Sequence, residues 1–170
     1  MNGRVRRLVA LALAAGVALG LATPLAGDAA PRARAASCAA DHGPRVATSG
    51  PEAAVHVEGV ADSGKRQPAQ RISPQRFADL VVVVKWTHVD VNHWQRLSLV
   101  APDGSVYRTT TALVSPAGAF KRTSTVETVV PLRGSWILDY NLYGGWCAEV
   151  YLDDEIAPVA RASFTIAPSR

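Results

Sequence analysis

The chain is poor in the residues that most often carry chemistry. Its 170 residues include two cysteines, four histidines and one methionine, and aromatics make up 6%. It has no Gly-x-Ser-x-Gly, which excludes the strained nucleophile elbow of serine hydrolases. It has no Gly-rich phosphate loop, which removes the usual nucleotide cradle. No Lys/Arg block with interleaved aromatics occurs after residue 36, so the footprint of nucleic-acid binding is missing. There is no repeat of solenoid period, and after the first apolar run no stretch is long enough to span a membrane.

Charge of one sign is also lacking once the N-terminus is set aside. Arg4, Arg6 and Arg7 precede an apolar run from Leu8 to about Ala26, and Ala33-Arg34-Ala35 follows as a small-x-small site. This order reads as a secretory signal peptide over residues 1–36. Of the 18 Lys and Arg and 14 Asp and Glu, that segment holds five and one, so the remainder carries 13 of each sign. The basic balance of the whole chain belongs to the signal. It gives no support to a nucleic-acid or anionic-membrane partner.

What is present after residue 36 is one domain by length. An even cysteine count in an exported chain predicts one disulfide, Cys38–Cys147. It would clip the mature N-terminus to the body of the domain. The rival is lipidation of Cys38, for which Ala36-Ser37 are suitably small but Ala35 stands where Leu is usual. Residues 37–74 are rich in Ala, Pro, Gly, Ser and charge. They predict an irregular segment with one possible strand, Ala54–Val60.

From Leu80 onward the chain alternates at period two between turn signals. Val81–Val84 is β-branched on both faces, which predicts a central, buried strand. Arg96–Val100 and Ser105–Thr111 flank Pro102-Asp103-Gly104 and predict a hairpin. Thr123–Val130, Trp136–Leu142, Trp146–Leu152 and Arg161–Ile166 complete about seven strands, with Gly144-Gly145 read as a two-residue hairpin turn. Only Gln75–Leu80 suggests a helical turn. The spacing predicts an all-β fold, a single antiparallel immunoglobulin- or fibronectin-like β-sandwich over residues 75–170.

The runs Leu99-Val-Ala-Pro-Asp-Gly-Ser-Val-Tyr107, Pro131-Leu-Arg-Gly-Ser-Trp136 and Ala162-Ser-Phe-Thr-Ile166 resemble the immunoglobulin-like accessory β-sandwiches of bacterial secreted proteins. The resemblance covers about Leu80 to Ile166. It departs at Asp139–Gly145 and at Cys147. Such domains are generally non-catalytic, so the resemblance implies a scaffold or binding module and no catalytic residues.

Three clusters could carry a site. His88, Asp90 and His93 combine imidazole with carboxylate and could hold a transition metal. Asp153-Asp154-Glu155 could hold Ca²⁺ or form a solvated turn. Trp94, Tyr140, Tyr143 and Trp146 gather near turns, where exposed rings bind sugars or anchor proteins, while Trp86 and Trp136 are expected in the core. The leading expectation is a secreted, non-enzymatic binding or scaffolding module without cofactor, at the cell envelope or outside the cell. Its partner would be a protein or a carbohydrate. The alternative is a small exported metal-dependent protein or enzyme built on His88, Asp90 and His93.

Overall fold

A computed structural model describes Cys38 and residues 50–118 and 121–168; the expected signal over 1–36 lies outside them. Two packed sheets account for nearly all the described regular structure. Sheet A has the order β2-β1-β4-β7, from β1 (Glu52–Val60), β2 (Arg66–Pro68), β4 (Asp79–Thr87) and β7 (Thr123–Pro131). Sheet B has the order β3-β9-β8-β5-β6, from β3 (Arg71–Ile72), β5 (His93–Val100), β6 (Val106–Val114), β8 (Gly144–Leu152) and β9 (Ala160–Ile166). All pairings are antiparallel except the short β3–β9 contact. No helix among the described residues is long and apolar enough to cross a membrane.

The all-β architecture follows from the patterning. The uninterrupted valines of β4 make it the central strand of sheet A, paired with β1 and β7 along its whole length. Leu80, Val82, Val84 and Trp86 face the core, and Val81 and Val83 are buried on the other face. Their outer-face neighbours are His56 and Glu58 on β1 and Glu127 and Val129 on β7. Above them Arg66 of β2 reaches Glu127 of β7 at 2.8 Å, bridging the two strands between. The β5–β6 hairpin forms at the expected place. Gly104 takes φ 83°, and Asp103 accepts hydrogen bonds from the N–H and hydroxyl of Ser105.

β1 grows out of the segment with one expected strand. Val55 and Val57 face inward as the alternation predicts, and Gly59 lies under the Phe77 ring. A Cβ at position 59 would sit 2.6 Å from that ring, so only glycine lets Phe77 close the core there.

Two expectations are corrected. Residues 136–142 do not form a strand. Trp136–Asp139 is a helical turn, α1, ending in Asn141 at φ 52°. The Asn141 N–H bonds Leu138 O, and the Leu142 N–H bonds Ile137 O at 2.9 Å, which is the Schellman closure with Asn in the left-handed position. The chain must cross here from β7 in sheet A to β8 in sheet B. A helical turn makes the crossing while inserting only Ile137 into the core. Gly144-Gly145 is likewise no hairpin turn, because no strand precedes it. Both glycines lie in β8, opposite Ile166 and Thr165.

The sulfurs of Cys38 and Cys147 lie at disulfide distance, with Cα atoms 5.8 Å apart. Cys147 points away from the core, onto the outer face of sheet B beside Val100. Oxidised protein should show no free thiol on denaturation. Reduction of this link, over a sequence separation of 109, should lower stability by at most roughly 4–5 kcal/mol. Two titratable thiols in unreduced protein would refute the pairing.

One polar contact crosses the core. Trp86 Nε1 of sheet A donates to Gln95 Oε1 of sheet B at 2.7 Å, and both residues are fully buried. Gln95→Leu keeps much of the volume but strands the indole N–H, and should cost about 1–3 kcal/mol in chemical denaturation. An unchanged midpoint would show that the bond contributes nothing.

Candidate functional site

The connections emerge at two ends of the sandwich. The β4–β5, β6–β7 and β8–β9 loops lie at one end. The β5–β6 turn and the β7–α1–β8 crossing lie at the other. The sequence-predicted site residues divide between these ends, so the structure does not bring them together.

At the loop end the polar residues are committed to one another. Asp90 and Arg122 form a two-pronged ion pair that ties the β4–β5 loop to the β6–β7 loop. The hydrogen bond from Arg122 holds the Asp90 carboxyl below its usual range, and the same contact raises Arg122. His93 Nδ1 lies 2.8 Å from Asp153 Oδ2, and Asp153 Oδ1 accepts the Trp94 N–H at 2.9 Å. Burial alone would raise the Asp153 carboxyl. The hydrogen bonds from His93 and Trp94 outweigh it and hold the group low. His88 and Asp153 both take positive φ, 58° and 48°, on a backbone locked by Val89 in the core and by Asp153 N–H to Trp94 O. Asp90 and His93 thus have separate partners, and no group of three metal-ligating side chains occurs among the described residues. The Asp153-Asp154-Glu155 turn is a latch onto β5.

Trp94 is 57% exposed at this end, beside its cross-strand partner Leu113. From Trp94 to Val100 and its neighbour Cys147, β5 rises roughly 20 Å. Trp94 is therefore a sandwich length away from Tyr140.

At the other end the aromatics sort differently from expectation. Trp146 is buried, 2% exposed. It stacks on Phe164, meets the edge of Tyr107 at 5.3 Å between centroids, and donates Nε1 to Leu142 O at 3.0 Å. Tyr143 is partly buried against the core. The exposed rings are Tyr140 and Trp136, each 68% exposed. Trp136 is thus corrected from core to surface. In a strand it would share a face with Leu138; in the helical turn Ile137 alone takes the inward position. Residues 136 and 140 are four apart, so their rings share a helix face. The centroids are 6.1 Å apart and the planes cross at 82°. Together they form an open right-angled corner.

The corner has a firm mount. Arg133, just before α1, donates Nε to Pro74 O at 2.9 Å, Nη1 to both Asp62 carboxylate oxygens, and Nη2 to Gln75 O at 3.2 Å. This joins the β1–β2 loop and the β3–β4 turn to the base of the crossing. Ser135 Oγ donates to Leu132 O at 2.7 Å. The partners of Arg133 lie 58 to 71 residues away in sequence, so no local pattern could have revealed it. Trp136 was detectable, because Asn141 is a left-handed helix terminator five residues on.

A groove of about 370 Å³ also opens between β1 and β9 under the β2–β3 connection. Its basic residues face carboxylates: His56 Nε2 is 3.3 Å from Glu58, and Arg161 Nε is 3.5 Å from Glu149.

The Asp153 latch predicts a specific acid response. Its folded pKa lies below the unfolded value, so its stabilisation is present above the ordinary carboxylate pKa near ~4 and is lost as pH falls through the folded value. Asp153→Asn should flatten the acid limb of the stability profile, read by thermal melts below about pH 4. A limb of unchanged steepness would assign acid sensitivity elsewhere.

No protein-family model matches the chain, and no curated protein matches it at a significant level.

Proposed function

We propose that this is a secreted, non-enzymatic β-sandwich module that docks a partner, at the cell envelope or outside the cell, through the Trp136–Tyr140 corner. The observation behind this is the exposure of two large rings on a turn that needs only Ile137 for packing. Exposed aromatics are costly to keep in water and are enriched at binding hot spots. A polysaccharide platform needs rings that lie flat along the chain. A corner of 82° suits a protruding side chain with two walls, which favours a protein partner over a carbohydrate.

Strand order supports an immunoglobulin-like assignment. Apart from the short β2 and β3, the first, second and fifth long strands form one sheet, and the fourth, third, sixth and seventh form the other. This order resembles the Greek-key arrangement of such sandwiches, with the fourth strand moved to the second sheet. The disulfide departs from that pattern, since it lies outside the core. At the loop end, the pairing of Asp90 with Arg122 and of His93 with Asp153 supports a structural role for those groups.

A photoreactive amino acid at position 136, compared with position 94 at the opposite end, tests the assignment in the secreting cell. The expected result is a discrete adduct from position 136 that weakens at least about tenfold with Tyr140→Ala, as loss of a hot-spot ring predicts, and no adduct of the same mass from position 94. Equal or diffuse crosslinking from both positions would sink the proposal.

A further inference from the structure

The two sheets end in four edge strands, and one of them, β6, is long and carries none of the devices that blunt the other three, although β2 and β3 pair only with Glu58–Val60 of β1 and Thr165–Ile166 of β9. β2 and β3 are three and two residues long. On β7, Val129 O accepts a contact from Arg108 at 3.5 Å, Thr123 O accepts the Ala117 N–H, and Pro131 ends the strand. Short strands, covering contacts and prolines are the usual defences of a sheet edge. The fourth edge, β6, has nine residues, no proline and no lysine. Its one irregularity, at Leu99/Val100, lies at the far end of the hairpin.

The orientation of its backbone can be read from its neighbour. Trp94 N–H and C=O both point toward β8, since they meet Asp153. The residues of β5 that point toward β6 are then Gln95, Leu97 and Leu99, opposite Ala112, Thr110 and Arg108. It follows that the N–H and C=O groups of Thr109, Thr111 and Leu113 project outward. Among the described residues these groups have no backbone partner.

We infer that this edge pairs with the same edge of a second copy, antiparallel about a two-fold axis through Thr111. That register sets Thr111 opposite Thr111 of the partner copy, and Thr109 opposite its Leu113. All three outward residues then face outward residues, giving about six inter-chain backbone hydrogen bonds. A second copy fits because the edge is self-complementary. The only charge in β6, Arg108, falls opposite a valine in this register, so no like charges meet. Leu113 and its exposed neighbour Trp94 continue one side-chain row across the junction.

Sedimentation of the oxidised protein at about 100 µM, where even weak pairing is populated, should give twice the monomer mass. Amides of Thr109, Thr111 and Leu113 should gain protection from hydrogen exchange only at high concentration. Thr111→Pro removes an outward N–H that the monomer does not use, so it should fold and stay monomeric. Thr111→Lys, a charge placed on the edge, should do the same and decides the matter where the proline variant does not fold. A wild-type monomer at that concentration, or a dimer that persists in the folded variants, would overturn the pairing.

Discussion

The hydrogen bond from Trp86 to Gln95 sets the relation between the two sheets. Apolar contacts across a sandwich are close-packed but non-directional, so they can accept a small slide that preserves the packing. A donor and an acceptor at 2.7 Å cannot, since an unmet indole N–H in an apolar core costs about 1–3 kcal/mol. Trp86 sits near the end of β4 and Gln95 near the start of β5, so the bond also determines how the β4–β5 loop leaves the sandwich. The latch between Asp153 and β5, and the Asp90–Arg122 pair, both build on that loop geometry.

The opposite end depends on a different kind of constraint. The crossing from β7 to β8 has two buried anchors, Leu132 and Ile137, and one multivalent tether, Arg133. Between them they hold a single helical turn too short to be stable alone. With Ile137 inward, the helical period leaves residues 136 and 140 outside together. Exposure of both rings is thus a geometric consequence of the mount, and a strand in the same place would have buried one side of the run.

Much of the architecture was legible because period-two alternation and β-branching are local. The valine run of β4, the Pro102-Asp103-Gly104 turn and the closing strand β9 all lie where the pattern puts them. The Trp136–Leu142 run misled because a short apolar alternation fits one turn of helix as well as a strand. There Asn141, rather than the alternation, held the information. The candidate site was less legible than the fold. Ring exposure depends on what stands opposite, and Trp146 is covered by Tyr107 and Phe164, 39 and 18 positions away in the numbering. The pairing of Asp90 with Arg122 and of His93 with Asp153 is equally non-local. Ligand-like residue types therefore stood out in the sequence while their partners did not.

Folding and function make separate demands on the surface. A ring left in water adds no packing energy to the monomer, and an unpaired strand edge leaves its backbone groups to the solvent. Neither the Trp136–Tyr140 corner nor the β6 edge is needed to close the core, which leaves both open to the contacts proposed for them. The two surfaces are also compatible. A two-fold axis through Thr111 reverses strand direction between copies, which sends the two α1 corners to opposite ends of the pair. Each corner would stay open, and the proposed pair would present two identical sites facing apart. Such an arrangement links two partners rather than gripping one twice, because simultaneous binding to a single small target is forbidden by geometry. A sandwich that joined copies along its edge and docked a partner at each corner, as proposed, would act as a connector, a role that suits a module whose loop-end polar residues are spent on holding its loops.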